Sequence, residues 1–279
     1  MIISLRELLQ QAEHGHYAVG AFNCLSLENV EGAIQAAEEL RSPIILQLAE
    51  VQFPCAPMEL MAPIYLEAAK RATVPVVVHL DHGQSFETCA KAIKLGFGSV
   101  MFDGAGLPFE QNVAITAAVS RMAKGMGVDI EAELGKVGDV GVDDDKIDVF
   151  TDVEESAEFI TRTGVDALAV AIGNQHGHYV ATPQLNIERL KELHSRNNIP
   201  LVLHGGSGTS VEDFKACIHN GICKINVATA IQLGITEQVQ HYLATTAKPD
   251  YITMKQVMVE ASKRVVAEHI LLFESNNRV

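Results

Sequence analysis

The sequence predicts an α/β protein folded as a TIM (β/α)8 barrel, a single domain over residues 1–279 with additional C-terminal helices. Short apolar, β-branched runs recur eight times, and each is followed by a segment with helical periodicity. The average repeat is about 35 residues, the size of a βα unit. No Pro-, Ser- or Gly-rich linker interrupts the repeat. A doubly wound open sheet is the competing architecture, and the regular count of eight favours the closed barrel.

The predicted strands are almost continuously apolar, as in PVVVHL and ALAVAI, which is typical of parallel strands covered by helices on both faces. They fall at residues 17–23, 43–48, 74–80, 99–103, 128–134, 167–172, 199–204 and 222–227. Helical patterns fall at 27–39, 86–95, 110–125, 154–162 and 211–220, with a further one from residue 250. Ser26 and Ser85 stand in N-cap positions. The Gly- and Asp-rich stretch 135–152 is long for a barrel connection, which predicts a functional lid.

The charge balance restricts the partners of this chain. With 35 acidic and 21 basic residues, the formal net charge is −14, which argues against binding to nucleic acid or to an anionic membrane. No apolar run reaches the roughly 18–20 residues of a transmembrane helix, and the N-terminus does not read as a signal peptide. The five cysteines form no CxxC pair and are predicted to be buried thiols. We expect a soluble cytoplasmic protein.

Polar residues follow most of the predicted strands at their C-terminal ends. Active sites of such barrels lie at the C-terminal ends of the strands. Those ends read AFN, HLDHG, FDG, EAELG, IGNQHGHY, LHGGSG and INVAT. A single histidine at a strand end is more often a hydrogen-bonded structural residue than a ligand, so the coincidence of these ends at one rim is what predicts a site.

Three histidines are the candidate metal ligands. His82, His176 and His204 each follow an apolar run, and three imidazoles with an open fourth position are typical of catalytic zinc. This predicts one Zn²⁺ per chain. His79 lies inside its strand and is predicted to be packed, whereas His178 is a weaker ligand candidate. The remaining histidines are expected at the surface: His14, His16, His194, His219, His241 and His269.

Carboxylates accompany these histidines. Asp81 precedes His82 and is a candidate general acid or base, or an orienter of an imidazole. Glu133 ends the fifth strand two residues after Glu131, so one of them is expected near the metal, as an alternative ligand or behind the ligands. The alternative is a structural pair neutralised by a barrel cation such as Lys224.

Two glycine- and polar-rich loops have the features of a phosphate site. Loops after strands seven and eight of such barrels frequently bind phosphate through backbone N–H groups and a helix N-terminus. Here these loops contain Gly205, Gly206, Ser207 and Gly208 after strand seven, and Asn226, Val227, Ala228 and Thr229 after strand eight.

The motifs YAVGAFN, LDHG, EAELG, DALAVAIG, LHGGSG and GICKINVAT, in this order along almost the whole chain, resemble the class II, zinc-dependent ketose-bisphosphate aldolases, the family of fructose- and tagatose-bisphosphate aldolases. The resemblance implies that zinc binds to His82, His176 and His204, and that Asp81 is the catalytic acid. It implies that dihydroxyacetone phosphate binds to Gly177, Gly205, Gly206, Ser207 and residues 226–229, with Asn23 lining the pocket.

The resemblance also implies a reaction: reversible aldol cleavage of a ketose (bis)phosphate to dihydroxyacetone phosphate and an aldehyde, by way of a metal-stabilised enediolate. It further implies a sugar phosphate as substrate, a homodimer or homotetramer, and a monovalent cation near the phosphate.

The sequence departs from the family pattern in three places. Family members typically carry a glutamate in the loop after EAELG to handle the C3 proton, but stretch 135–152 has none, which leaves Asp139 and the run 143–145 as candidate bases. LAE stands at the end of strand two, where a Ser or Thr is usual. Lys255 is the nearest candidate for a distal phosphate ligand. Together with the added acid Glu50, this predicts an aldehyde less anionic than glyceraldehyde 3-phosphate.

Three other functions compete with this interpretation. Lys224, in phase with Asn226 on strand eight, is the candidate nucleophile of a metal-free Schiff-base aldolase. A zinc-dependent barrel hydrolase is the second, although strand one ends in AFN rather than His-x-His. A non-catalytic binding barrel is the third.

Overall fold

Eight parallel strands close into one barrel in the computed structural model, which describes residues 1–135, 138–139, 150–176, 184–206 and 208–279, with the backbone alone at 138, 139 and 176. The strands are β1 (Val19–Asn23), β2 (Ile44–Ala49), β3 (Val76–Gly83), β4 (Ser99–Phe102), β5 (Asp129–Leu134), β6 (Gly138–Asp139), β7 (Ala167–Val170), β8 (Gln175–His176), β9 (Leu201–Leu203) and β10 (Ile222–Val227). The barrel order is β1-β10-β9-β7-β5-β4-β3-β2, and β6 pairs with β8 outside it. The predicted closed barrel is confirmed.

Helices cover the barrel and alternate with its strands. They are α1 (Leu5–Gly15), α2 (Leu27–Glu39), α3 (Met58–Arg71), α4 (Phe86–Leu95), α5 (Phe109–Gly125), α6 (Val153–Thr163), α7 (Ile187–Arg196), α8 (Val211–His219), α9 (Thr229–Thr245) and α10 (Tyr251–Leu272). The last two are the additional C-terminal helices that the sequence predicts. In the described part of the chain, no helix is both long and apolar enough to cross a membrane.

Each strand buries both of its faces. Along β2, Ile44, Leu46 and Leu48 belong to the large cluster between barrel and helices, whereas Ile45 belongs to the cluster inside the barrel. Inside, α1 adds Leu5, Leu8 and Leu9 to Ile45 and its neighbours. Helix α1 therefore fills one end of the barrel, and the polar strand ends lie at the opposite one.

Helix α10 packs across α2 at very close range. A Cβ on Gly32 would lie 2.4 Å from the Val259 carbonyl oxygen, so only glycine fits at this crossing. The Ser262 hydroxyl donates to the Asn29 carbonyl over 3.0 Å, which fixes the same contact. The C-terminal helices are therefore joined to the first βα unit.

The structure corrects three details of the sequence interpretation. Strand β3 continues to Gly83, beyond the predicted end at 80. His269, expected at the surface, is half-buried between the rings of Phe22 and Phe273. All five cysteines are thiols, but Cys55 is exposed rather than buried. The predicted lid at 135–152 lies mostly outside the described residues.

Candidate active site

The carboxyl ends of five strands bring together the polar residues that the sequence singles out. Strand β3 contributes Asp81 and His82, and β5 contributes Glu131 and Glu133. His204 follows β9, and β10 carries Lys224 and Asn226. Asp103 follows β4 and completes the cluster.

A bulge at the end of β3 lets two adjacent residues reach one site. The register with β4 shifts between Leu80 and Gly83, and His82 has a φ of 45°. That left-handed backbone costs a side-chain-bearing residue about 1–2 kcal/mol, and such strain is found at functional sites. A Cβ on Gly83 would lie 2.7 Å from the Met101 carbonyl oxygen, so the bulge also needs glycine. The strand pleat alone would point Asp81 and His82 to opposite faces.

The two imidazoles face each other across the centre of the site. His82 Nε2 and His204 Nδ1 are 2.9 Å apart. The other ring nitrogens contact carboxylates: His82 Nδ1 lies 2.8 Å from Asp103 Oδ2, and His204 Nε2 lies 2.9 Å from Glu131 Oε1. Because ionised carboxylates only accept hydrogen bonds, these outer nitrogens carry protons, and the inner nitrogens are the ones available to a metal.

Further carboxylate oxygens surround the inner nitrogens. Glu133 Oε2 is 3.3 Å from His204 Nδ1, and Asp81 Oδ1 is 3.8 Å from His82 Nε2. Two sets of potential ligand atoms lie within 4.8 Å of one another: Asp81 with His82 and His204, and His82 with Asp103 and Glu133. Nitrogen and oxygen donors in this combination suit Zn²⁺.

The cluster contains more carboxylates than cationic side chains, and a bound cation would reduce this excess of negative charge. Burial opposes a charge on His82, but Asp81 and the hydrogen-bonded Asp103 outweigh it and raise the pKa of His82 to about 10. Burial lowers the pKa of His204, although its bond to Glu131 opposes the shift. Without metal, His82 therefore holds a proton between the two rings, in the position that a metal ion would take.

Asp81 is held by three side-chain amides. Asn23 Nδ2 donates to Oδ2 over 2.9 Å and Gln47 Nε2 donates to the same oxygen over 3.2 Å, while Asn226 Nδ2 donates to Oδ1 over 2.9 Å. Burial alone would raise the pKa of Asp81, but the positive charges of His82 and its neighbours lower it to about 2. Asp81 is therefore an anion in a fixed orientation.

A buried ion pair lies beneath these residues. Lys224 Nζ is 2.9 Å from Glu131 Oε2, and neither side chain is exposed. Lys224 Nζ also donates to Asn226 Oδ1 over 2.7 Å. His79 is buried behind the pair, with its Nδ1 2.9 Å from Ser99 Oγ, and burial lowers its pKa to about 3. His79 is packed, as the sequence predicts, and Lys224 pairs with Glu131 as in the alternative, structural interpretation of that carboxylate.

The loops expected to bind phosphate have suitable backbones. Gly205 and Gly208 have φ values of 69° and 99°, and a Cβ on Gly206 would lie 2.9 Å from Ile225 Cγ2. Ala228 precedes α9 and offers no side-chain cap, and no acidic residue occupies the first turn of α9, which begins at Thr229. The positive end of the α9 helix dipole therefore faces no acidic side chain of its own first turn, which favours an anion there.

Several predicted residues fall elsewhere or lie outside the described part. The side chain of His176 is not among those described, and Gly177, His178, Ser207 and residues 140–149 are not described at all. Glu50 accepts hydrogen bonds from the Gln84 N–H (2.7 Å) and the Thr88 hydroxyl (3.0 Å), which accounts for it as a structural residue. Lys255 pairs with Glu28 on α2.

Two functional residues were missed in the sequence. Asp103 is the middle residue of FDG, so the strand-end rule that found the other residues also applied to it. Gln47 is the one amide in the apolar run IILQLA, and an isolated amide in a buried strand indicates a polar partner inside the barrel.

A closed βα barrel with histidines and carboxylates gathered at the carboxyl ends of its strands is the architecture of a metal-dependent barrel enzyme. The family profile "Fructose-bisphosphate aldolase class-II" matches residues 3–278. The chain belongs to this family of zinc-dependent lyases and is a ketose-bisphosphate aldolase.

Individual relatives agree with this assignment. The chain is 42% identical over 287 residues to the "Probable fructose-bisphosphate aldolase" of Bacillus subtilis (strain 168), covering 99% of both chains. It is similar to the crystal structure of the YdjI aldolase from Escherichia coli K12, with a TM-score of 0.91, 35% identity, and coverage of 100% of this chain and 99% of that one. The fructose-bisphosphate aldolase of Campylobacter jejuni, at 23% identity and a TM-score of 0.80, shares the fold over 100% of this chain and 97% of its own.

Proposed function

We propose that the protein binds one Zn²⁺ through His82, His204 and His176, and cleaves a ketose phosphate reversibly into dihydroxyacetone phosphate and an aldehyde. The observation that carries the proposal is the pair of inner nitrogens, 2.9 Å apart, each on a ring whose outer nitrogen is held by a carboxylate. His176 enters on its sequence position, in the stretch that follows the sixth barrel strand. Glu133 stands beside His204 as an alternative ligand or a carboxylate behind the ligands.

Asp81 is the proposed catalytic acid and base. When bound, zinc supplies a Lewis acid that polarises the ketone oxygen of the substrate. In the direction of cleavage, Asp81 accepts the proton of the substrate hydroxyl as the carbon–carbon bond breaks, and in condensation it returns that proton. The amides of Asn23, Gln47 and Asn226 hold its oxygens in place. The base that acts at C3 is proposed to come from stretch 135–152, with Asp139 and the run 143–145 as candidates.

The phosphate of dihydroxyacetone phosphate is proposed to bind at the loops after β9 and β10. Gly205, Gly206 and Ser207 would supply backbone N–H groups, together with Gly177 and residues 226–229. Support comes from the first turn of α9, which carries no acidic side chain, and from the close approach of Gly206 to β10. Asn23 is proposed to line the pocket next to Asp81. The monovalent cation near the phosphate stays a prediction.

The ion pair of Lys224 argues against the Schiff-base alternative. Its ammonium donates to Glu131 and to Asn226, and an ammonium engaged in this way has no lone pair with which to attack a ketone. In addition, a Schiff-base site would leave His82 and His204 without a role.

The second substrate is proposed to be an aldehyde less anionic than glyceraldehyde 3-phosphate. Lys255, the nearest candidate for a distal phosphate, is paired with Glu28. Glu50 no longer supports the preference, because its hydrogen bonds explain it without a substrate.

We also propose that residues 1–279 act as one domain, that the protein is a cytoplasmic enzyme, and that it forms a homodimer or homotetramer. Exposed apolar side chains on α9 and α10, such as Leu243 and Ile252, favour contacts between subunits. Light scattering on a sizing column would measure the assembly.

An aldehyde screen tests the proposed reaction. Zinc-loaded protein is incubated with dihydroxyacetone phosphate and a panel of phosphorylated and unphosphorylated aldehydes, and new carbon–carbon bonds are followed by NMR. We expect condensation that EDTA abolishes and zinc restores, with no covalent adduct after borohydride treatment. A borohydride-trapped lysine with EDTA-resistant activity would show a Schiff-base enzyme instead. Preference for glyceraldehyde 3-phosphate over every unphosphorylated aldehyde would contradict the proposed specificity alone.

A further inference from the structure

Asn226 has a side-chain amide whose orientation matters for Asp81. Its Nδ2 donates to Asp81 Oδ1 over 2.9 Å. Rotated by half a turn, the same amide would place its oxygen against the carboxylate and repel it. An amide in this position therefore needs a neighbour that distinguishes its oxygen from its nitrogen.

Lys224 is that neighbour. Its Nζ lies 2.7 Å from Asn226 Oδ1. Because an ammonium has three donors and no acceptor, it can hydrogen-bond only to the oxygen of the amide and not to its NH2 group. The lysine is completely buried, as is its counter-ion Glu131. A chain of contacts runs from Glu131 to Lys224, to Asn226 and then to Asp81.

Stability alone gives little reason for this charge inside the barrel. The desolvation of a buried Lys–Glu pair offsets most of its attraction, and apolar or neutral replacements are often as stable. The contact between Lys224 and Asn226, by contrast, determines which face of the amide Asp81 meets.

We propose that Lys224 is a positioning residue, which orients the Asn226 amide so that it holds the catalytic carboxylate of Asp81 in place. This inference rests on the proposed function, because Asp81 needs an orientation only if it transfers a proton. Lys224 does not touch the substrate, and Glu131 balances its charge.

Two neutral pairs at these positions separate the hydrogen bond from the charge. Lys224→Met with Glu131→Gln removes the ammonium and its counter-ion and leaves no donor for Asn226 Oδ1. Lys224→Gln with Glu131→Gln is also neutral but keeps an N–H donor at position 224. The matched control is Lys263→Met with Glu39→Gln, which removes a partly exposed pair between α10 and α2, 2.8 Å apart.

Two rates, measured at saturating zinc, distinguish positioning from general damage. Condensation with an aldehyde requires Asp81, whereas hydrogen exchange at C3 of dihydroxyacetone phosphate does not. Both pairs lose the Glu131 carboxylate that holds His204 Nε2, so the Gln/Gln pair is the reference. Relative to it, we expect the Met/Gln pair to lose about 10- to 100-fold in kcat for condensation, the usual effect of removing such an outer partner, and to keep C3 exchange within about threefold. The control should match wild type.

Either of two outcomes would overturn the proposal: equal condensation rates of the Met/Gln and Gln/Gln pairs, or an equal fall in condensation and C3 exchange from the Gln/Gln to the Met/Gln pair. Wild-type protein without any zinc-dependent exchange or condensation would instead refute the proposed function, which keeps the two failures apart.

NMR provides a measurement that does not depend on activity. The side-chain amide signal of Asn226, identified by its loss in Asn226→Ala, should be protected from solvent exchange in wild type and in the Gln/Gln pair, and should lose protection in the Met/Gln pair. If the Met/Gln chain does not fold, the other two proteins still decide, because an unprotected Asn226 amide in wild type would overturn the proposal.

Discussion

Asp81 and His82 are neighbours in the chain with different duties at the same site. Asp81 is surrounded by amides and is ionised, which suits a group that takes and returns a proton on the substrate. His82 has its outer nitrogen on Asp103 and its inner nitrogen toward His204, which suits a metal ligand. The two roles therefore depend on the hydrogen-bond partners of Asp81 and His82 as well as on the chemistry of the two side chains themselves.

Replacing Asp81 by Asn should separate the two halves of the reaction. The amide cannot take the hydroxyl proton, so we expect condensation to fall by about 10²- to 10⁴-fold, while C3 exchange of dihydroxyacetone phosphate changes only a few-fold. Asp129→Asn is the matched control, a buried acid that contacts Arg6 instead. Loss of both activities to the same extent would mean that Asp81 acts on the metal or the fold.

Zinc binding should release a proton from His82. The pKa of His82 is raised to about 10 in the metal-free site, so at pH 7.5 the imidazole is protonated and must lose that proton to bind a metal. We expect the apparent zinc affinity to rise about tenfold per pH unit and to level off above pH 10. Calorimetry in buffers of different ionisation enthalpy should report about one proton per zinc, and a pH-independent affinity between pH 7 and 9 would contradict this.

At the scale of elements, the bulge in β3 is what places Asp81 and His82 together. It depends on a left-handed His82 and on the glycine that follows it. The β3 bulge is packed against the Met101 carbonyl of β4, so a larger side chain in the bulge would also displace β4.

Gly83→Ala should damage this bulge. The added methyl would sit 2.7 Å from the Met101 carbonyl oxygen and 2.9 Å from Leu80, and such overpacking costs about 1–3 kcal/mol. We expect a lower free energy of unfolding and weaker zinc binding, measured by urea denaturation and chelator competition. Gly98→Ala, where nothing lies within 4 Å, is the control and should leave both unchanged. Equal stability of the two variants would show that the bulge adapts.

The strands were predictable from sequence because a strand buried on both faces is a continuous apolar run, and such a run is visible in the local sequence alone. The eight observed barrel strands overlap all eight predicted runs, and every run begins within two residues of the observed strand. The end of β3 was not predictable, since nothing local signals that His82 adopts a positive φ. Likewise, the sequence indicated His82 and His204 as strand-end residues, but the partners that fix their tautomers come from other strands.

At the scale of the whole molecule, α1 fills one end of the barrel, and the candidate active site lies at the other end. Four carboxylates (Asp81, Asp103, Glu131 and Glu133) converge there against the buried ammonium of Lys224. This excess of negative charge makes the folded protein a better partner for a divalent cation than the unfolded chain.

Zinc should therefore stabilise the fold. A ligand that binds only the native state adds about 4 kcal/mol at a free concentration 1,000 times its Kd. We expect the Tm to rise with zinc concentration, to fall on addition of EDTA, and to respond little in a His82→Ala/His204→Ala variant. If the Tm of the wild type does not change when zinc binds, the folded barrel does not form the zinc site.

Hydrogen exchange at C3 of dihydroxyacetone phosphate tests the central claim most directly, because it requires no knowledge of the aldehyde. Zinc-loaded protein is incubated with dihydroxyacetone phosphate alone in D2O, and the C3 proton signal is followed by NMR with and without EDTA. We predict stereospecific exchange that EDTA abolishes and added zinc restores. No exchange by a protein that holds one zinc per chain would contradict the account.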